Sequence, residues 1–574
     1  MGGFIYVRKD STNNAGASFE HPAKKAMANR GLVFSKTIDS DQFKVHIYNK
    51  SIYATENYIE YENGDFVLAT GTFFYCGMNG QEGLELIYND FSEEKDFFNS
   101  FLGNYGICIY KKGRLVIFND YGGIYHLYRT LDDSIISTSF LAVVKSLPKT
   151  TVSKQELYEY IWDGTMYGGR TFVHEVERLD SNKVYQLHPK TEFYAKDVSI
   201  ENVSSKMVFN EQVKAVADSI LSYFELLGKH FGNNISTALS GGFDSRLILA
   251  AMRKKGLVPY VYVYGNDSSP DVQIAKMICQ GEGIDLDHIN RSKLHTVGMD
   301  DFKEFMHTSY YFNDGQGMKG CFEGGQDLST RRDRALKANL QLNGGGGEAM
   351  RNYFTMPDKT YPVEVFVKTV FFYVHSSMCT DQFNENEYYG ELEDKIKKVL
   401  GISSNLLTRS DVELVYPKCR LRYWMGQNNS INNNLACALT PLAEPRYTWP
   451  SCAYPLEWKN GGRFEAAVIN IIDPDLARYP SQYGHNFADP IPLKKRAVNT
   501  FLLNMPDTLR SHIRRWRNRT QSLAMPFYLT EEYLKQIIDF KNLQISEYMQ
   551  LNKIDNPDVF NRAMTVELTI SNWL

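Results

Sequence analysis

The sequence predicts an N-terminal unit built on antiparallel strands followed by an α/β unit on a parallel sheet, with a helical C-terminal part. Three observations predict it. Phe101 to Thr130, FLGNYGICIYKKGRLVIFNDYGGIYHLYRT, alternates apolar residues through two strands joined at Lys111 to Gly113, then turns at Asp120-Tyr121-Gly122-Gly123. From Ile235 to about residue 345, short apolar strands alternate with helical patterns, the order of a parallel sheet with crossover helices. Beyond about residue 360 the pattern is mainly helical. At 574 residues the chain is too long for one core, so two or more domains are expected.

The helix FNEQVKAVADSILSYFELLGKHF, Phe209 to Phe231, carries an apolar stripe and opens the second unit; the polar, irregular residues 180 to 206 before it place the linker near 200 to 208. Next comes ISTALSGGFDSRLILAAMRKKG, Ile235 to Gly256. Ile235 to Leu239 suits a short central strand, and Leu247, Ile248, Ala251 and Met252 recur as a helix face resting on a sheet would. Between them, Gly241 and Gly242 let the backbone approach a ligand closely, and the helix start offers unpaired N–H groups and a positive dipole end. Ser240 and Ser245 add hydroxyl donors, while Asp244 would repel a phosphate unless Mg²⁺ lay between them. The plain alternative is a βα turn in which Ser and Asp cap the helix. The ligand of such a sheet is expected at the carboxyl ends of its strands.

Hydrophobic content of 43% and charged content of 23% are those of a soluble globular protein, and no stretch is long enough to cross a bilayer. A cytoplasmic protein without membrane partners is expected. The formal net charge of −4 gives no general argument for nucleic acid; the local run LRSHIRRWRNRT, Leu509 to Thr520, reads as a solvated helix face or as a contact for tRNA or another polyanion. Eight dispersed cysteines contain no C-x-x-C pair, so neither disulfides nor zinc are implied, and Cys76 and Cys108 read as core residues of strands. The start MGGFIYVRK lacks the apolar region of a signal peptide and has Tyr6 where a myristoylation signal needs Ser or Thr.

The turn closely resembles the S-G-G-x-D-S pyrophosphate loop (PP-loop) of N-type ATP pyrophosphatases, and LSGGFDSR resembles the asparagine synthetase-like branch in particular. VPYVYVYGNDSSPDVQIAKMICQGEGIDLDHIN, Val258 to Asn290, is similar to that family's second strand, acidic turn, helix and third strand. LQLNGGGGEAMRNYF, Leu340 to Phe354, resembles its second glycine loop, and ALTPLAEPRY, Ala438 to Tyr447, its P-[FL]-L-D-x-R stretch. The Phe101 to Thr130 hairpin resembles that of the glutaminase-like N-terminal nucleophile (Ntn) domain. The resemblance implies an α+β Ntn-like sandwich over 1–205, lacking the nucleophile, and an α/β adenine-nucleotide hydrolase-like (PP-loop) domain over 206–574, with a helical extension from about 500. It also allows a homodimer.

What the resemblance implies chemically is an ATP- and Mg²⁺-dependent ligase. ATP activates a carboxylate as an acyl adenylate, pyrophosphate leaves, and an amine attacks to form an amide. It assigns nucleotide contacts to Leu239, Ser240, Gly241, Gly242, Asp244, Ser245, Tyr264, Gly265, Gly344 and Gly346, with Mg²⁺ on Asp244 and Glu348. Asp271 stands either as the cap of a helix beginning near Val272 or as a nucleotide contact. Three departures bear on the activity. Glutaminases of this type need Cys at residue 2, where this chain has Gly2, so no glutamine hydrolysis is expected by that route. The catalytic Glu of asparagine synthetases, or Tyr of β-lactam synthetases, falls at Gly345, and the adenylate-stabilising Lys falls at Glu465. In dispensing with glutamine the chain resembles β-lactam synthetases and lasso-peptide cyclases. Arg246, Glu348 and Arg351 are the candidate catalytic residues; Arg463 is a further candidate cation and equally an ion-pair partner.

The substrates that the resemblance implies are a small-molecule, peptide or sugar carboxylate and an amine. The alternatives are a nucleotide-binding scaffold without turnover and a PP-loop enzyme that modifies tRNA or another polymer. CFEGGQDLSTRRDR, Cys321 to Arg334, and WMGQNNSINNN, Trp424 to Asn434, are polar enough to line a pocket and otherwise read as loops.

Overall fold

The computed structural model describes residues 2–9, 16–91, 95–198, 207–371, 374–506, 509 and 524–571. The linker expected at 200–208 lies outside the described residues apart from Met207 and Val208, and so does the basic run apart from Leu509.

Two six-stranded antiparallel sheets form the N-terminal part. One runs in the order Val176–Arg178, Tyr128–Thr130, Ile135–Ser137, Gly3–Arg8, Phe43–Asn49, Val33–Asp39; the other runs Glu192–Ala195, Lys183–His188, Arg114–Asn119, Phe101–Lys111, Phe66–Tyr75, Tyr58–Glu60. The predicted hairpin is closed by Lys112 and Gly113, both at positive φ, as the twist of adjoining strands demands of a two-residue turn. Alternation sends Phe4, Tyr6, Val45 and Ile47 of the first sheet against Phe66, Leu68, Cys108 and Ile117 of the second. The outer face of the second sheet packs on Leu84, Ile87 and Phe97 from short helices, and that of the first on Ala23, Ala26, Met27 and Phe140. Helices therefore cover a sheet sandwich on both sides. Cys76 departs from the expectation: it follows the last strand residue, Tyr75, at φ 49° and is exposed.

The helix read from Phe209 to Phe231 is formed over those residues; we label it α1. A parallel sheet follows, with strands β1 (Ile235–Ala238), β2 (Tyr260–Tyr264), β3 (Leu286–Ile289), β4 (Leu340–Leu342) and β5 (Cys437–Leu439) in the order β3-β2-β1-β4-β5. α2 (Phe243–Lys254) and α3 (Pro270–Glu282) join its first three strands. β5 lies about a hundred residues after β4 in mainly helical sequence and is only three residues long, too short to show a strand period. Val261 and Val263 turn toward the apolar layer of α1, α2 and α3, while Tyr262 and Gln341 turn to the other face. There, α4 (Gln326–Lys337) and α5 (Gly426–Asn432) lie across the sheet. The two polar stretches read as loops are thus largely helical. The chain leaves β1 toward β2 and β3, then returns to place β4 on the other side of β1, so β1 and β4 flank the point where strand order reverses.

No described helix is long and apolar enough to cross a membrane. One large core draws together Ile5, Phe140 and Tyr160 from the N-terminal part with Tyr310, Leu392 and Met564 from the remainder.

Candidate functional site

Both glycine loops leave the sheet at that reversal, the first after β1 and the second after β4. They touch: a Cβ added to Gly344 would lie 3.5 Å from the Ser245 nitrogen and 3.6 Å from Asp244 Cβ. Gly346, at φ 111°, has the Leu442 carbonyl carbon 2.4 Å from where its Cβ would stand, and a Cβ on Gly347 would meet Asp244 Oδ1 at 2.1 Å. Only glycine lets this loop pass between Leu442 and the first loop.

Inside the first loop, Ser240 N–H donates to Ser245 Oγ (3.0 Å), Gly242 N–H to Ser240 Oγ (3.2 Å), and Gly241 N–H to Asp271 Oδ1 (2.8 Å). Leu239 N–H is held by the Tyr262 carbonyl at 2.9 Å. Asp271 is neither a helix cap nor free: Ser269 is the cap position of α3, and the Asp271 carboxylate binds the first loop instead. Likewise Gly242, with no side chain, precedes α2, so no Ser or Asp caps it. Residues 481–483 lie over the loop, with Gln482 N–H donating to the Gly241 carbonyl at 3.1 Å. Phe243 stacks on Phe487 at 4.1 Å between ring centroids.

Three carboxylates converge beneath these loops on Arg351. Its Nη2 donates to Asp244 Oδ2 at 2.7 Å and lies 3.6 Å from Glu348 Oε1, and its Nε is 3.0 Å from Glu465 Oε2. Nη1 donates to the Tyr483 hydroxyl at 3.1 Å. Glu348 is fixed from its other side by the Gly346 N–H at 2.9 Å and by the Tyr416 hydroxyl. Tyr416 opens a ten-residue π-type stretch, Tyr416–Met425, whose last residue packs on Gly345; wide turns of this kind recur where a helix must present side chains to a site.

The charge balance is unequal, and the titration follows from it. Burial, then repulsion from Glu348, pushes the Asp244 carboxyl up to about 7 against the pull of Arg351. Glu465 is fully buried; burial, then Asp244, raises its carboxyl well above the usual range. Asp244 Oδ1 and Glu465 Oε1 are buried with no donor among the described residues, which a proton shared between the two groups would satisfy, while Glu465 Oε2 faces Arg351 Nε. Burial works against the charge of Arg351, but the carboxylates of Asp244, Glu465 and Glu348 outweigh it and hold its proton more firmly than in water.

Several sequence expectations need correction here. Arg246 does not enter this group: it is fully buried, donates to the Tyr479 and Pro480 carbonyls at 2.8 Å each, and lies over the Phe487 ring, so its guanidinium ties down the segment over the loop. Arg463 lies over the Phe209 ring, exposed and away from the carboxylates. The Mg²⁺ expected on Asp244 and Glu348 does not fit the residues present, because the cation between those carboxylates is the guanidinium of Arg351. Among the described residues no three His, Cys, Asp or Glu side chains converge to hold a metal. Glu465, standing where the resemblance calls for Lys, is the ion-pair partner of Arg351, a pairing visible only once α6 (Arg463–Ile472) is packed on α2.

Tyr264 and Gly265, at the end of β2, lie apart from this cluster. The Tyr264 ring is covered by Arg291 at 4.2 Å and its hydroxyl accepts from Arg334 Nη1 at 2.5 Å; the Gly265 carbonyl is 2.8 Å from His288 Nε2. At Gly2 the N–H donates to the Tyr48 carbonyl at 2.8 Å, and a Cβ there would stand 2.6 Å from Leu32 Cδ2. Residue 2 is locked into the sheet with no room for a side chain.

No protein family matches the chain, nor does any curated protein. Among solved structures it is similar to a glutamine phosphoribosylpyrophosphate amidotransferase from B. subtilis complexed with ADP and GMP, with 8% identity and a TM-score of 0.25 over 51% of this chain and 91% of that one. It is also similar to a structure described as the allosteric regulatory enzyme of purine biosynthesis, with 8% identity and a TM-score of 0.24 over 54% of this chain and 78% of that one. Likeness at that level carries no argument about function.

Proposed function

We propose that the chain is an ATP-dependent carbon–nitrogen ligase of the asparagine synthetase-like kind that does not hydrolyse glutamine. The observation that carries the reading is the meeting of two glycine loops at the reversal of a parallel sheet, with Asp244 and Glu348 both turned to one guanidinium. In the proposed reaction a substrate carboxylate oxygen attacks the α-phosphorus of ATP and the bond to the β-phosphate oxygen breaks, releasing pyrophosphate. An amine then attacks the acyl carbon, AMP leaves with the electrons of the C–O bond, and the amine proton passes to solvent or to a nearby carboxylate. Arg351 is suited to neutralise charge on the leaving pyrophosphate, because it is a fixed cation between both loops. Asp244, poised near neutrality, is suited to exchange a proton. Gly2 supports an N-terminal part that frames the ligase part and supplies no nucleophile.

A second reading, a nucleotide-binding scaffold without turnover, is favoured by the first loop itself. The N–H groups of Ser240, Gly241 and Gly242 already have internal acceptors, and residues 481–483 cover them. Pyrophosphate release from MgATP across a panel of carboxylic acids and amines decides between the two: release that depends on the acid supports the ligase, and nucleotide binding with no release from any acid supports the scaffold. Asp244→Ala, which frees Arg351 from the first loop, should abolish ATP binding in a titration; unchanged affinity would sink both. Glutamine added to the full reaction should yield no glutamate above background.

A further inference from the structure

Beside the carboxylate cluster a cavity of about 280 Å³ opens between the polar face of the sheet and helices α4 and α5. Asn343 and Gly344 of the second glycine loop form one end of its wall. Its chemistry is opposite to that of the cluster: it is lined by three arginines, Arg291, Arg331 and Arg334, and by one carboxylate, Asp327. Asp327 is already shared by Arg291 at 2.8 Å and Arg331 at 2.7 Å. Arg334 is only 7% exposed and makes no ion pair among the described residues. It is held over the Tyr262 ring at 4.9 Å and donates to the Tyr262 and Tyr264 hydroxyls, while its Nε has no acceptor among the described residues.

The hydrogen-bonding polarity of the walls points the same way. Both tyrosine oxygens accept from Arg334, so their own protons are free to turn elsewhere. Asn428 and Asn432 spend their carbonyl oxygens on Arg331 Nη1 at 2.7 Å each, which leaves their amide N–H groups as donors. Gln341 lines the cavity, is 6% exposed, and has neither amide atom paired among the described residues. A buried guanidinium with no ion-pair partner and a buried amide with neither atom paired are each destabilising until a group of matching polarity meets them. The cavity thus offers many donors, a surplus of positive charge, and few acceptors. A purine edge, which needs both donors and acceptors, matches this poorly; an oxyanion matches it well.

We propose that this cavity binds an oxyanion group of the substrate, remote from the carboxylate that reacts and held by Arg334 and Gln341. The substrate would then be a small polyanion, its far end in the arginine cavity and its reacting carboxylate carried past Gly344 toward Arg351. This rests on the ligase reading for the identity of the ligand as substrate, but binding at the cavity stands apart from it. The remote group is a second carboxylate or a phosphate ester.

The test is calorimetric titration of the full chain with malonate, succinate, citrate and inorganic phosphate, without nucleotide. Binding by a carboxylate probe, weakened about tenfold or more by both Arg334→Met and Gln341→Leu, supports a second carboxylate; the same pattern with phosphate alone supports a phosphate ester. Arg334→Met loses two tyrosine hydrogen bonds but no ion pair and should stay folded, which thermal unfolding checks; Gln341→Leu gives an independent reading if it does not. The proposal is overturned if no probe binds up to about 10 mM, if both variants leave binding unchanged, or if adenosine displaces the anion and Arg334→Met abolishes MgATP binding. Anion binding with no acid-dependent pyrophosphate release would refute the ligase reading while leaving the cavity site standing; the converse result would do the reverse.

Discussion

On one side of Gly344, three carboxylates share the guanidinium of Arg351; on the other, three guanidiniums line a cavity whose one carboxylate, Asp327, pairs with Arg291 and Arg331. Both regions sit at the carboxyl edge of one sheet, and both bury an excess of like charge. They differ in how that excess can be relieved. A carboxyl group can take up a proton, and Asp244 and Glu465 are both shifted toward doing so. An arginine cannot lose one at any ordinary pH. The acidic cluster can therefore balance itself within the chain, whereas the arginine cavity calls for an anion from outside.

The largest expected effect is at Arg351. Arg351→Met should lower stability by about 3–5 kcal/mol in urea denaturation, because it strands buried carboxylates without a counter-charge. Arg334→Met should change stability by no more than about 1–2 kcal/mol, since no ion pair is lost and removal of a buried charge offsets the lost hydrogen bonds to Tyr262 and Tyr264; equal losses at both sites would break the comparison. Next comes the glycine loop. Gly346→Ala should cost about 1–3 kcal/mol from its positive φ alone, with more from the Leu442 backbone in its path. Gly345→Ala should cost less, because the obstacle is the flexible end of Met425.

A smaller effect concerns pH. Asp244 titrates near 7 in the folded chain and near 3.8 when unfolded, so between those values the folded state binds the extra proton. Stability from this group is therefore complete below about 4, falls as pH rises, and levels off above about 7. Asp244→Asn is neutral throughout, so its stability relative to wild type should climb across that window; a flat difference would mean that Arg351 keeps Asp244 ionised. The smallest change is Arg246→Lys, which gives up one of two carbonyl contacts for about 1 kcal/mol and should leave pyrophosphate release unaltered.

Local pattern made much of this molecule legible. The Phe101–Asn119 hairpin, α1, and the β1–loop–α2 unit each satisfy their own periodicity and turn chemistry within some twenty residues. β5 escaped, being three residues long, and the helices over Gln326–Lys337 and Gly426–Asn432 read as loops because their exposed polar faces hid the few apolar contacts, such as Leu328 and Ile431, that seat them. Cys76 escaped because a strand pattern does not announce where the strand ends.

Of the candidate site, the sequence by itself determined the two glycine loops and which acidic residues stand in them, since a close approach of backbone can be written only with Gly at fixed spacing. It did not determine where any charge would go. Arg246 and Arg351 stand in equivalent places after their loops, yet one is spent on the carbonyls of Tyr479 and Pro480 and the other gathers Asp244, Glu348 and Glu465. Likewise Arg291, Arg334 and Gln341, dispersed over fifty residues with no motif among them, become one cavity only when α4 is laid across β2 and β4. Charge pairing and burial are properties of distances across the fold, where a few ångströms decide whether a cation is satisfied or left seeking an anion, and only the tertiary structure sets those distances.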